Sequence, residues 1–310
     1  MRTLVKVYTP RRLRERNRWL RSDGKPNFKS RIHDKTPELS PLIRRDVPGV
    51  NTSTPILNVC ELMSKLNTRL IPVLTGRNEV IGVITATDII DYLGGGLKHN
   101  IVLNLKLPTI YDILQVPAGK IMTENPVVVE ESLKLSKLLE LMVNLGLGAV
   151  PVVSQNKYVG IITEYEIVKF LTYKHVGVKV ADVMTREVLS VDENSKLSTA
   201  MKLMINLGVR RLPVVSGEKV VGIFTWKDVI DLIGTHKIFN VLSLKTLDEF
   251  ASIPVTSVMT PEVMLIDPQA DISEAASKIL ETQTSLLLVS EDGRLAGIIT
   301  ERDIIYGLVV

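Results

Sequence analysis

Four copies of one phrase govern what this 310-residue chain can fold into. Each copy reads apolar, apolar, Gly, apolar, apolar, Thr, two variable residues and a carboxylate. The copies run Val80 to Asp88, Tyr158 to Glu166, Val220 to Asp228 and Leu295 to Asp303, with Gly, Thr and acid at the same offsets every time. Such self-similarity marks repeated supersecondary units that must stack to bury their apolar faces. A second apolar run lies upstream of each copy, at Leu70 to Leu74, Ala149 to Val153, Leu212 to Val215 and Leu286 to Val289. A short polar stretch such as Ser216-Gly217-Glu218-Lys219 separates the two, so they read as paired strands with a tight connection. Apolar residues at helical spacing precede the pair (Val59, Leu62, Met63, Leu66; Leu197, Ala200, Met201, Met204), and another helical pattern follows it.

Copies two to four also open with Met-Thr and an apolar strand, at Met122-Thr123, Met184-Thr185 and Met259-Thr260; the first copy lacks this opening. The unit is therefore strand, helix, strand, strand, helix. Its signature glycines are 78, 62 and 75 residues apart, whereas Asp88 to Asp228 is 140 and Glu166 to Asp303 is 137. The duplication is thus of a pair of units, which divides the chain into a basic N-terminal arm at 1–46, a first module at 47–175 and a second at 176–310.

These residues resemble the cystathionine-β-synthase (CBS) motif, whose units end in Gly-x-x-Thr/Ser-x-x-Asp, open on Met-Thr and carry a Pro-Val second strand. The resemblance implies an α/β fold of four CBS motifs paired into two tandem Bateman modules, each pair packing its sheets about a pseudo-twofold axis. Two such modules assemble into a flat four-part disc in the γ subunits of AMP-activated kinases. It also implies a regulatory role without catalysis, AMP, ADP or ATP as regulatory ligand and no required cofactor.

The local chemistry supports a nucleotide. Thr85, Thr163, Thr225 and Thr300 each end a strand and begin a helix, where free N–H groups and the helix dipole favour phosphate. A carboxylate three residues on can accept from vicinal ribose hydroxyls. Cations stand close to the signature in Lys227, Arg210 and Arg211 of copy three, Arg302 of copy four and Arg69 of copy one. By resemblance Asp228 and Asp303 are the ribose ligands, with Thr225 and Thr300 near phosphate and Thr85 and Asp88 as a further pair. Thr-x-x-Asp or Thr-x-x-Glu ahead of an apolar run is equally a helix capping box. Copy two, with Glu166 for Asp and an added Glu164 that repels phosphate, reads as a cap. Copy one has Ala86-Thr87 where copies three and four have a cation, and copy four has Thr284-Ser285 in place of the basic pair.

The net charge of +4 conceals two unlike parts. Residues 1–46 hold 14 basic and 5 acidic side chains, leaving 24 and 29 for the rest of the chain. The arm predicts disorder until bound. It presents Arg11, Arg12, Arg14, Arg16, Arg18, Arg21, Lys25, Lys29 and Arg31, with Tyr8, Trp19 and Phe28 interleaved. Guanidinium groups match phosphate bidentately and aromatic rings stack on unpaired bases, so the pattern points to RNA. Combined with four CBS-like motifs, this plan is similar to the CBS-containing ribosome-hibernation factors of archaea, which implies ribosomal subunits and rRNA as partners and steric inhibition of translation. A nucleotide-sensing regulatory subunit of a metabolic enzyme or kinase and a ligand-responsive DNA-binding regulator remain open, as does a homodimer.

The lone Cys60 excludes an internal disulfide, and four scattered histidines without cysteine partners exclude a structural zinc site. No apolar run is long enough to span a membrane, and the charged N-terminus is unlike a signal peptide, so a cytoplasmic protein is expected. Phosphate-loop, zinc-protease, nucleophile-elbow and kinase signatures are absent. Gly94-Gly95-Gly96 follows a helix and reads as a helix stop.

Overall fold

In every copy the upstream apolar run forms a strand and the signature phrase forms the antiparallel strand beside it. The computed structural model describes residues 38–171, 176–241 and 245–309. The first motif comprises α1 (Ile56–Lys65), β1 (Leu70–Leu74), β2 (Val80–Thr85) and α2 (Ala86–Gly94), followed by β3 (Thr123–Glu124). The second runs β4 (Val129–Glu130), α3 (Leu135–Leu145), β5 (Ala149–Ser154), β6 (Lys157–Thr163) and α4 (Glu164–Leu171). The third runs β7 (Val191–Asp192), α5 (Leu197–Leu207), β8 (Arg211–Ser216), β9 (Lys219–Thr225) and α6 (Trp226–Gly234). The fourth runs β10 (Leu265–Ile266), α7 (Ile272–Glu281), β11 (Leu286–Glu291), β12 (Arg294–Thr300) and α8 (Glu301–Val309). Motifs two to four show the expected strand, helix, strand, strand, helix; in the first, a bridge from Val50 to Val73 stands for the opening strand. The short first strand pairs parallel with the middle strand, which pairs antiparallel with the last. Gly95, at φ +90°, terminates α2, as the glycine run predicts.

The Met-Thr segments correct one expectation. They do not open their own motif's sheet; each crosses to the sheet of the motif it is paired with. β3, from the second motif's Thr123, pairs with β2 of the first motif. Thr260 of the fourth motif exchanges backbone hydrogen bonds with Ile223 of the third (2.8 and 3.0 Å), and Thr185 of the third does the same with Ile298 of the fourth (2.8 and 2.9 Å). The first motif also has such a segment, unrecognised in the sequence because it lacks Met-Thr: Arg44 pairs with Ile161 of the second motif at 2.8 and 3.0 Å.

This exchange explains the signature glycine. A Cβ on Gly222 would lie 2.6 Å from Met259 Sδ and 2.8 Å from the Thr260 carbonyl oxygen. On Gly82 it would meet Met122 Sδ at 2.6 Å, on Gly297 the Thr185 carbonyl at 2.6 Å, and on Gly160 the Arg44 carbonyl at 2.6 Å. At Gly222, Gly297 and Gly160 the glycine is required because a neighbouring backbone crosses directly above it; at Gly82 the closest atom belongs to the Met122 side chain.

Exchange ties motif one to two and three to four through their sheets, and Val215, Val220 and Ile223 meet Leu286, Leu288 and Ile298 in a core between the latter two. The helices pair otherwise. α1 and α2 pack on α6, and α2 on α5, joining motifs one and three in one core; α4 packs on α7 and α8, joining motifs two and four in another. Each large core therefore draws on both halves of the chain. Covered on both faces, the middle strands bury almost every residue, which is why they read as unbroken apolar runs.

Residues 38–46, assigned above to the arm, are part of the folded body. Leu39, Leu42 and Ile43 are buried against the second motif's core, Ser40–Leu42 form a 3₁₀ turn, and Glu38 bridges Lys134. The arm candidates Tyr8, Arg11, Arg12, Arg14, Arg16, Arg18, Trp19, Arg21, Lys25, Phe28, Lys29 and Arg31 lie outside the described residues.

Two stability measurements test this architecture. Gly222→Ala should lower unfolding free energy by about 1–3 kcal/mol in denaturant titration, because the Thr260 backbone cannot yield as a side chain would. A chain starting at residue 38 should melt with the full-length protein, whereas one starting at residue 47 should melt several degrees lower, since burial of each large apolar side chain contributes about 1.5–3 kcal/mol. Equal melting of the two truncations would refute the assignment of 38–46 to the body.

Candidate ligand cleft

All four signatures form helix caps. The Thr85 N–H and Oγ1 donate to Asp88 Oδ2 at 2.7 and 2.6 Å, the Thr225 pair to Asp228 Oδ2 at 2.6 and 2.8 Å, and the Thr300 pair to Asp303 Oδ2 at 2.8 and 2.7 Å. Thr163 donates to Glu166 in the same way, so copy two is the cap that its sequence suggests. Capping uses one carboxylate oxygen. The other faces the exchanged strand: Asp88 Oδ1 accepts from Thr123 at 3.3 Å, Asp228 Oδ1 from Thr260 at 3.3 Å and Asp303 Oδ1 from Thr185 at 3.4 Å. The Met-Thr threonine thus reads the partner motif's signature acid, a link invisible from spacing alone.

The three aspartates then diverge. Lys98 Nζ reaches Asp88 Oδ1 and the Ile121 carbonyl, placing an internal ammonium against the carboxylate of copy one. Among the described residues Asp228 has no such ion pair, and Lys227 of the same helix turns to Asp231; burial pushes the Asp228 carboxyl up to about 6, against the lowering effect of its hydrogen bonds from Thr225 and Thr260. Asp303 is buried at the edge of a cavity of about 850 Å³, lined also by Thr85, Thr300, Arg302 and Tyr306. Asp228 and Thr225 do not line that cavity, although the neighbouring Trp226 does. The structure therefore brings Thr300, Arg302 and Asp303 together with Arg210 and Arg211, and leaves Thr225, Lys227 and Asp228 apart from them.

Where the four motifs meet, the cavity wall carries Arg69, Arg210, Arg211 and Arg302 together with Asp91 and Asp303. Arg69 of the first motif, Arg210 of the third and Arg302 of the fourth converge on Glu164 of the second, whose side chain is only 2% exposed. Arg69 Nη1 donates to Glu164 Oε2 at 2.8 Å, Arg210 Nη2 to Oε2 at 3.1 Å, and Arg302 Nε to Oε1 at 2.9 Å. Beside them Arg211 donates to Glu301 at 2.8 Å and to Ser285 Oγ at 2.7 Å. Burial alone would raise the Glu164 carboxyl, but Arg210, Arg69 and Arg302 outweigh it and hold the acid well below the usual carboxylate range. Burial depresses the proton affinity of Arg210, and the adjacent Arg302 adds to that, with Glu164 opposing.

The role of Glu164 runs against its reading as a residue that merely keeps phosphate away from copy two. It is the common anion of three guanidiniums. Lys98 carried no recognisable signal either, since it lies outside the repeat. Gly148 fits between these groups because a Cβ there would lie 2.5 Å from Arg210 Nη1 and 2.6 Å from Arg69 Nη2. Among the described residues no group of histidine, cysteine and acids could hold a metal ion, and no helix is long and apolar enough to cross a membrane.

With the geometry established, comparison with known proteins is informative. The CBS domain model matches residues 39–95, 118–173, 180–235 and 255–309, one block for each signature. A 33.4 kDa protein in the ribosomal RNA operon of Thermofilum pendens is 29% identical over 260 residues, which is 84% of this chain and 87% of that one. Protein MJ1225 of Methanocaldococcus jannaschii is 30% identical over 266 residues, covering 84% of this chain and 95% of that one. Its crystal structure, described as that of a candidate archaeal homolog of γ-AMPK, superposes with a TM-score of 0.79 at 26% identity, covering 87% of this chain and 99% of that one. A Pyrococcus horikoshii protein shares the fold at a TM-score of 0.56 and 22% identity, over 86% and 98% of the two chains. The four matched blocks take in the strand exchange, the signature caps and residues 39–46, and on that ground this chain belongs to the CBS domain family.

Proposed function

We propose that this protein is a non-catalytic regulator whose central cleft takes a phosphorylated adenosine nucleotide and whose basic N-terminal arm docks it on ribosomal RNA. The observation that carries the ligand reading is the juxtaposition, in one cavity of about 850 Å³, of the Thr300 and Asp303 signature with Arg69, Arg210, Arg211 and Arg302. That volume falls within the roughly 300–1,000 Å³ of small-molecule sites. Asp303 retains lone pairs for ribose hydroxyls after capping its helix, and the arginines supply planar, permanently charged donors for phosphate. The adenosine assignment is supported by the likeness to MJ1225, described as a candidate homolog of γ-AMPK. Copy one is the weaker ribose site because Lys98 already occupies Asp88.

Ribosome docking is supported by a different observation, the arm's dense Arg run with interleaved aromatics. The location of the Thermofilum pendens relative in a ribosomal RNA operon points the same way. On this reading the body occludes a functional surface of the particle and nucleotide occupancy tunes its residence.

Calorimetric titration with AMP, ADP and ATP should show binding of at least one. Asp303→Ala should weaken it about tenfold or more, in line with loss of charge-assisted hydrogen bonds of ~1.5–3 kcal/mol. Native-strength binding by a folded Asp303→Ala would remove Asp303 from the site, and no binding at all would overturn the ligand reading. For the arm, the protein should co-sediment with ribosomal subunits at about 50 mM salt and dissociate by about 200 mM, and deletion of residues 1–37 should abolish the association. Unchanged co-sedimentation of that deletion would refute arm docking, and a partner that survives nuclease treatment would favour an enzyme-regulatory subunit.

A further inference from the structure

Of the three signature aspartates, Asp88 holds Lys98 and Asp303 lines the cavity, which leaves Asp228 without a task. The first motif shows what the same set of oxygens can hold. An ammonium carries three N–H donors. Lys98 Nζ meets three acceptors between the signature helix and the exchanged segment: Asp88 Oδ1, the Ile121 carbonyl and, at 3.4 Å, Thr123 Oγ1. The Thr123 hydroxyl can serve both neighbours, because it donates to Asp88 and still has lone pairs for the ammonium.

The third motif rebuilds this set. Asp228 Oδ1 accepts from Thr260 at 3.3 Å, as Asp88 Oδ1 does from Thr123 at 3.3 Å. Val258 stands where Ile121 does, at the end of a 3₁₀ turn: Val255–Ser257 precedes the one and Ala118–Lys120 the other. Their φ, ψ angles are −126°, −21° and −118°, −8°, so the two carbonyls are aimed alike. Met259 and Met122 each close the turn with an N–H bond of 2.9 Å, to the Val255 and Ala118 carbonyls. The cation is what differs. The residue 140 positions after Lys98, the offset that takes Asp88 to Asp228, is Ile238, which is buried. Lys227 pairs with Asp231, and the Asp231 charge in turn bears on Asp228. Asp228 is thus a half-buried carboxylate next to a second acid, with no ion pair among the described residues, an arrangement that a cation would relieve. The exposed Thr260 leaves it a way in from solvent.

We infer that Asp228 Oδ1, Thr260 Oγ1 and the Val258 carbonyl form a binding site for the ammonium group of a primary amine, which takes from solution the group that Lys98 supplies in the first motif. Three N–H donors meet three oxygens, and one of those oxygens carries the opposite charge. A quaternary ammonium has the charge without the donors and does not fit this set. The site is separate from the central cavity, so it stands or falls independently of the nucleotide reading, which uses Asp303.

The test is thermal melting of the full-length chain in methylammonium, tetramethylammonium and potassium chloride at equal ionic strength, and separately in adenosine. Methylammonium should raise the native melting temperature above its value in tetramethylammonium by about 2–4 °C at roughly ten times the dissociation constant. Asp228→Asn and Thr260→Val should each erase that difference, and Thr260→Val carries the comparison if Asp228→Asn fails to fold. Lys98→Ala, which empties the first motif's set, should enlarge it, since two sites then respond. A native protein that melts alike in the two ammonium salts overturns the inference, even where Lys98→Ala responds, and so does a difference that persists in both folded variants at Asp228 and Thr260. An equal response to potassium overturns the assignment to an amine. A shift produced by adenosine and lost in Asp228→Asn also overturns it, returning Asp228 to the ribose role that the sequence resemblance implies.

Discussion

The architecture depends on one close backbone approach repeated around the molecule: a short segment of each motif lies across the signature glycine of its partner. Thr260 over Gly222, Thr185 over Gly297 and Arg44 over Gly160 leave no room for a Cβ, and at Gly82 the Met122 side chain fills the same place. The crossing segment satisfies backbone groups on an exposed sheet edge and presents its threonine, in three cases, to the partner's signature aspartate. Each motif's last strand takes a backbone partner from the motif it is paired with. Pairing is therefore built into the unit, and edge strands that would otherwise be open to other chains are closed internally.

Pseudo-symmetry then breaks at the centre of the molecule. Register aligns Arg69, Gly148, Arg210 and Ser285 as equivalent positions immediately before the middle strand, and Ala86, Glu164, Trp226 and Glu301 as equivalents immediately after the signature threonine. At these aligned positions arginines come from motifs one and three and glutamates from motifs two and four, and Arg302 of motif four adds a third guanidinium, so opposite charges from different motifs meet at the centre. A buried ion cluster of this kind adds little net stability compared with an apolar core. Removal of one member is costly, on the order of 3–5 kcal/mol, because it strands a buried charge. Such a cluster ties the four motifs together at their meeting point.

Much of the fold is legible in the chain. The alternation of helix and strand, the unbroken apolar runs of doubly covered strands such as β5 and β8, the capping role of Thr163 and Glu166, and the stop at Gly95 all follow from local physics. The candidate site is legible only in part. Arg302, Asp303, Arg210 and Arg211 line one cavity, but Asp228 and Lys227, whose local sequence looks equally suitable, do not, and Lys227 is engaged in an i,i+4 ion pair. The arm boundary was obscured by composition: Arg44, Arg45 and Asp46 continue the charged character of the arm, although Leu39, Leu42 and Ile43 already belong to a core.

By itself the sequence determined the repeat unit, its number, the pairwise duplication and the separation of a basic arm from a weakly acidic body, because spacing, periodicity and charge are properties of neighbouring residues. Tertiary structure alone decided that the Met-Thr strand belongs to the other motif, that each core spans both halves, and that Glu164 is the anion on which Arg69, Arg210 and Arg302 converge. These are contacts between residues 46 to 138 positions apart in the chain, as Arg210, Arg69 and Arg302 are from Glu164. No local pattern encodes them, because they exist only once the apolar faces of four separate units have been brought together.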